Sequence, residues 1–149
     1  MDRDRQPALD AAGAAGYVAL STYRKSGAPV VTPVWVARDG DELVVITVDG
    51  TGKTKRLSRD PSVSLQPCDF RGRIDAGAPT WTGTARVVRG DVEIAAVKKA
   101  IADKYVLARL GDAVAHLTRG LTQRGARAGI RITLTQPTAA DPASAGPLP

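Results

Sequence analysis

The sequence predicts a mainly β fold, a β-barrel decorated with short helices. Six short runs rich in Val, Ile, Leu and Thr are separated by turn residues, and only one long segment shows helical spacing. No internal repeat and no linker divides the chain into two cores, so the strands are expected to share one.

Taken in order, Leu9 and Ala12 fall on one face of a short helix over residues 7–15, which the glycines weaken. Tyr17–Tyr23 and Pro29–Ala37 read as a β-hairpin turned by Arg24-Lys25-Ser26-Gly27. After Arg38-Asp39-Gly40-Asp41 comes a third strand, Leu43–Val48, and the three are expected to form an antiparallel meander. Thr51 as N-cap and Pro61 as stop bracket a basic helix of about two turns. Val63–Cys68 is a fourth strand, with Pro67 marking an edge or bulge, and Thr80–Arg89 a fifth. Ile94, Val97, Ile101, Tyr105 and Ala108 then recur at helical spacing over 91–108, and Ile130, Ile132 and Leu134 alternate in a last strand over 128–135. The expected organisation is an N-terminal segment over residues 1–16, a barrel domain over 17–136 and a disordered Pro/Ala-rich tail over 137–149.

At 149 residues, 43% hydrophobic and 24% charged, the chain has the composition of one globular domain. Cys68 is its only cysteine, which rules out an internal disulfide and a cysteine-based zinc site, and His116 is its only histidine, which rules out a histidine metal cluster. The N-terminus lacks the apolar core of a signal peptide and no apolar run approaches ~20 residues; the expectation is a cytoplasmic protein with no membrane partner. Lys and Arg outnumber Asp and Glu by 21 to 15, so the surface should attract anions. Between Ala113 and Ala140 stand Arg119, Arg124, Arg127 and Arg131 with one further feature: no acidic residue, which predicts either a basic face or a solvated loop. Nucleic acid is disfavoured because exposed aromatic residues interleaved with the basic ones are not evident.

The basic helix carries the most chemistry. Lys53, Lys55 and Arg56 stand in its first turns, where the helix dipole disfavours cations by ~0.3–1 kcal/mol each. An anion would reverse that penalty: free amides at a helix start bind phosphate, Gly50 and Gly52 let backbone approach a ligand, and Lys53 and Arg56 at i, i+3 can reach the same group. A solvated surface helix is the competing reading. Gly52-Lys53-Thr54 also ends a P-loop pattern, but that motif needs glycine where this chain has Thr47, and Pro61 stops the helix too early.

The ordered set Leu20-Ser21-Thr22, Gly27-Ala28-Pro29, Thr32-Pro33-Val34-Trp35-Val36, Gly52-Lys53-Thr54-Lys55-Arg56-Leu57, Asp60-Pro61, Pro67-Cys68-Asp69 and Arg71-Gly72 resembles the split β-barrel flavin/deazaflavin oxidoreductase superfamily, in its pyridoxamine-phosphate-oxidase-class, F-420-dependent branch. The resemblance spans roughly Tyr17 to Arg131. It implies a homodimer with two cofactors between protomers. The cofactor phosphate would sit on Lys53, Lys55 and Arg56 with Thr51 nearby, and the ring along Thr32, Pro33, Val34, Trp35 and Thr47. Gln66, Pro67 and Cys68 would lie close by, and the other protomer would contribute from around Trp81-Thr82-Gly83. It further implies an oxidoreductase passing a hydride between coenzyme F-420 and a small organic substrate. Flavin mononucleotide (FMN) is the alternative cofactor, and a noncatalytic flavin- or deazaflavin-binding protein the alternative function. A basic groove lined by some of Arg71, Arg73, Arg119, Arg124 and Arg127 would suit the polyglutamate tail that FMN lacks.

Hydride transfer places the chemistry on the cofactor, so the sequence demands no catalytic acid or base and names none. Cys68 reads as a small buried hydrophobe, Tyr105 as helix packing, and Trp35 and Trp81 as core aromatics or flat walls for a planar ring.

Overall fold

Each predicted strand run alternates because one side of it meets a core. The run Trp81–Val88 shows this best: Trp81, Gly83 and Ala85 are buried while Thr82, Thr84 and Arg86 are exposed. The computed structural model describes residues 2–108 and 127–135. Chain order there is α1 (Asp2–Ala14), β1 (Tyr17–Tyr23), β2 (Pro29–Val34), β3 (Ala37–Asp39), β4 (Glu42–Val48), α2 (Gly52–Arg59), β5 (Ser62–Cys68), β6 (Trp81–Val88), α3 (Asp91–Ala108) and β7 (Arg127–Leu134). Seven strands make one antiparallel sheet in the order β2-β1-β5-β6-β7-β4-β3.

The hairpin of β1 and β2 forms as expected, with Leu20 opposite Thr32, but the meander does not. The expected second strand is two strands. β2 pairs with β1 at one edge of the sheet, whereas β3 pairs with β4 at the other, and only Trp35 and Val36 join them. Edges of a flat seven-stranded sheet lie ~29 Å apart, while the three peptide units from Val34 to Ala37 reach at most ~11 Å. The sheet must therefore curl until β2 and β3 approach each other, which makes it a split barrel. Side-chain alternation continues through the break: Val34 and Val36 pack on the main core, Trp35 and Ala37 on a second cluster.

The curled sheet encloses the main core. Val18, Leu20, Leu43, Val45, Leu65, Trp81, Ile130, Ile132 and Leu134 line it, and helices complete it with Leu9 and Ala12 of α1 and Leu57 of α2. The second cluster lies on the other face of β3 and β4, where α3 lays down Val97, Ile101 and Tyr105 against Ala37 and Val44. Burying such side chains stabilises the fold by ~1.5–3 kcal/mol each, so the two clusters account for the placement of all three helices. The first helix begins earlier than its apolar spacing indicates, at Asp2. Among the described residues no helix is long and apolar enough to cross a membrane. The expected tail over 137–149 and His116 lie outside the described residues.

Of the basic C-terminal stretch, Arg119 and Arg124 lie outside the described residues. Arg131 is neutralised by Asp39 at 3.0 Å and Glu42 at 3.2 Å, and Arg86 holds Glu42 from the other side. Burial pushes the Glu42 carboxyl up, but hydrogen bonds and charge from Arg86 and Arg131 outweigh it and hold the group below its ordinary value. Arg131 and Arg86 thus form an ion-pair network with Asp39 and Glu42 on the sheet surface.

Lys104 of α3 is half-buried and donates to the carbonyl oxygens of Ala15 and Val36, both at 2.6 Å. Burial pushes its pKa down from 10.5 to about 8. Below pH 8 the amine is charged in both folded and unfolded chains, and the folded one bears the full cost of burying that charge. Between the two values the unfolded chain holds a proton that the folded chain has released, so stability rises with pH. Urea unfolding from about pH 7 to about pH 10 should show a rising midpoint in the wild-type protein and no comparable rise in Lys104→Met.

Candidate cofactor site

Where β4 ends, Asp49-Gly50-Thr51 turns the chain into α2. Gly50 takes φ +80°, a conformation that other residues adopt only with strain. The buried Thr54 fixes the turn from inside: its hydroxyl accepts the Gly50 N–H at 3.0 Å and donates to the Thr51 carbonyl at 3.1 Å. Thr51 occupies the N-cap position but does not cap, because its hydroxyl donates to the Val48 carbonyl at 2.9 Å. The helix therefore starts with no side-chain cap and no acidic residue in its first turn.

Cations gather at this uncapped end. Arg56 donates through Nε to the Thr22 hydroxyl at 2.6 Å and folds back over the helix start, so that a Cβ added at Gly52 would lie 2.5 Å from its guanidinium. A side chain there would displace the guanidinium from the helix start. Lys53, half-buried beside Arg56, makes no hydrogen bond or ion pair among the described residues. Burial, then the Arg56 charge, push the Lys53 ammonium below its ordinary value, and burial followed by the charges of Arg24 and Arg59 does the same to Arg56. Asp49, before the turn, is paired with Arg89 at 2.6 and 2.9 Å, and Asp60, after the helix, accepts the Ser62 amide at 3.0 Å. Among the described residues Lys53 and Arg56 have no carboxylate partner, an arrangement that an anion would relieve.

The other expected site residues divide by strand face. Register rows run Thr32–Leu20–Leu65–Trp81 and Val34–Val18–Pro67 on the inner face, and Pro33–Ala19–Gln66 on the outer. Cys68, opposite Tyr17, also faces out; burial and then Asp69 push its thiol up, which makes it a poor nucleophile. Thr47 follows Leu43 and Val45 on the inner side of β4 and pairs with Ala128. Lys55 stands on the exposed side of α2, two residues from Lys53 and so on a different face from Lys53. Trp81 is only 8% exposed and belongs to the main core, while Thr82 and Thr84 hold the surface around it. Trp35 stacks on Tyr105, ring centroids 4.4 Å apart and planes 12° from parallel.

Two features fit a phosphate-bearing ring compound. Lys53 and Arg56 present unbalanced charge at free amides, and the Thr32 hydroxyl is buried with no hydrogen-bond partner among the described residues. β2 is moreover an edge strand, so its outer backbone groups are open to a ligand. The expected groove arginines are only partly free. Arg73 is paired with Asp69 at 2.9 Å, and Arg71 lies over the Phe70 ring at 5.2 Å. Sequence reasoning missed Thr22, Arg24 and Arg59 in their place. Arg59 was visible as the next i, i+3 step after Arg56, but Thr22 and Arg24 reach the helix only through the fold.

Lys53→Ala should separate binding from stability. The side chain has no partner to lose, so the variant should melt at or above the wild-type temperature. Its affinity for inorganic phosphate should fall by ~1.5–3 kcal/mol, the worth of a charge-assisted hydrogen bond. Because the Lys53 proton is held below its ordinary affinity, wild-type phosphate binding should weaken as pH rises toward 10.5, and Lys53→Ala should flatten that profile. Calorimetric titrations across this range would measure both effects.

Comparison with known proteins places the fold. A conserved hypothetical protein from Mycobacterium tuberculosis superposes with a TM-score of 0.63 at 21% identity, over 86% of this chain and 78% of its own. The heme storage protein HutZ from Vibrio cholerae gives 0.61 at 17% identity, over 89% and 91%. An F420 reductase gives 0.58 at 20% identity, over 85% and 92%. No curated protein is similar enough in sequence to register as a relative. The sequence model described as pyridoxamine 5'-phosphate oxidase matches residues 7–137, nearly the whole chain, and with the split barrel built as above this chain belongs to the pyridoxamine 5'-phosphate oxidase family.

Proposed function

We propose that this chain is a deazaflavin-dependent oxidoreductase that binds coenzyme F-420 and passes a hydride between reduced F-420 and a small organic substrate. The observation that carries this reading is the run of cations along α2: Lys53 in its first turn, Arg56 folded back over that turn, and Arg24 and Arg59 beyond Arg56, with no carboxylate paired to Lys53 or Arg56 among the described residues. In this reading Lys53, Arg56 and the first amides of α2 hold the cofactor phosphate, and the ring lies along β2, where the Thr32 hydroxyl lacks a partner. F-420, when bound, supplies the hydride-accepting and hydride-donating ring. The chain positions it, keeps water from it on the Leu20–Leu65 side, and leaves the substrate an open face.

The second tier of cations favours F-420 over FMN. One phosphate needs no more than Lys53, Arg56 and the amides, whereas Arg24 and Arg59 lie close enough to Arg56 to depress its pKa and extend the positive field beyond it. A chain of glutamates leaving the phosphate would use that extension. The protein is proposed to act as a homodimer in the cytoplasm, with the exposed Val31, Phe70 and Ile74 covered by the second protomer.

Fluorescence titration of F-420 with different tail lengths, beside FMN and at two ionic strengths, tests the reading. F-420 should bind more tightly than FMN, and affinity should rise with glutamate number at low salt and level off once exposed attractions are screened beyond ~8–10 Å. Tighter binding of FMN under both conditions would assign the protein to flavin, and binding without turnover of any electron acceptor would make it a carrier.

A further inference from the structure

The two residues that close the barrel, Trp35 and Val36, lie in no strand, so no sheet partner sets their shape. α3 sets it instead. The Val36 N–H donates to the Tyr105 hydroxyl at 3.0 Å, and that hydroxyl donates to the Gly16 carbonyl at 2.7 Å. The Val36 carbonyl accepts from Lys104 Nζ at 2.6 Å, and the same ammonium reaches the Ala15 carbonyl. The Tyr105 ring stacks on Trp35. Both polar groups of Val36 and the ring of Trp35 are thus held by two consecutive side chains of one helix, with the α1–β1 link as a third anchor.

A purely structural role explains this poorly. Lys104 has no carboxylate partner among the described residues: Asp39 is paired with Arg131, Asp103 with Lys99, and Arg38 with Asp10. Its charge is met only by carbonyl oxygens and the face of Tyr105, 4.8 Å from the ring centroid. A methionine would fill the same space without a charge to bury. What the lysine and tyrosine hydroxyl add is a fixed geometry for the crossover, and the crossover continues directly into Thr32-Pro33-Val34.

We propose that Tyr105 and Lys104 are positioning residues for the cofactor ring, holding Trp35–Val36 so that the edge of β2 keeps the shape the ring requires. This rests on the reading that the ring lies along β2. Neither residue touches the ligand; both act through the crossover, where displacements of about an ångström are costly to a bound planar group.

The test is a set of titrations of the full-length protein with F-420 and, separately, with inorganic phosphate, on wild type, Tyr105→Phe, Lys104→Met and Ile101→Val. Ile101 packs in the same cluster as Tyr105 without touching Val36 through a hydrogen bond, and so reports simple loosening of that cluster. The expected result is about tenfold weaker F-420 binding in Tyr105→Phe and Lys104→Met, the worth of one buried hydrogen bond. Phosphate affinity should stay unchanged in both variants, and F-420 affinity unchanged in Ile101→Val. Wild-type F-420 affinity in Tyr105→Phe and Lys104→Met would overturn the positioning role and leave the cofactor reading standing. Equal loss of phosphate and F-420 binding, or the same loss in Ile101→Val, would overturn it as general loosening. Failure of the wild-type protein itself to bind F-420 would overturn the cofactor reading, and the positioning role with it.

Discussion

Trp35 and Val36 link opposite edges of a seven-stranded sheet, and that short reach forces the sheet to curl. The main core follows, since only a curled sheet lets Leu20 and Leu65 face Leu43 and Ile130 across a common interior. So does the role of α3, which has to satisfy the buried backbone of Val36 because no strand can. The candidate site depends on a neighbouring pairing: β5, which follows α2, lies against β1 and so sets Thr22, with Arg24 just beyond the strand, beside the helix.

The site itself runs against stability. A helix start with an uncapped Thr51, no acidic residue and Lys53 in its first turn is a poor way to begin a helix, and burial makes the Lys53 and Arg56 charges costlier still. Leu57, deep in the core, and Thr54, which ties the turn together, hold α2 in place regardless. Local penalties persist where the surroundings over-determine them, and here they fall on the site proposed to bind the cofactor phosphate. Elsewhere on the surface the chain balances its charges, as in the Arg86–Glu42–Arg131–Asp39 network and the Asp49–Arg89 pair.

Most strands were legible because alternation and turn residues act locally: Gly40 does take φ +65° between β3 and β4, and Trp81–Val88 reads residue by residue as buried and exposed. The break at Trp35–Val36 was not legible, because the apolar alternation passes through it undisturbed and only the non-local pairing of β3 with β4 reveals it. The cation pair Lys53 and Arg56 could be read from helical spacing. Arg24 and Thr22 could not, since their place beside α2 comes from the non-local pairing of β1 with β5. The aromatic residues were legible only as alternatives, core or flat wall, because which side each faces depends on strand register, and register puts Trp81 opposite Leu65 in the core.

The claim on which the account turns is that the unbalanced cations at the start of α2 hold the phosphate of a ring cofactor. Amide chemical shifts recorded by NMR during an F-420 titration address it directly. The account predicts that the largest shifts fall on Gly52, Lys53 and Thr54, with a second set along Thr32, Val34 and Trp35. Shifts confined to the groove between α1, β3 and α3, around Gly13, Arg38 and Lys99, with those amides unmoved, would contradict it.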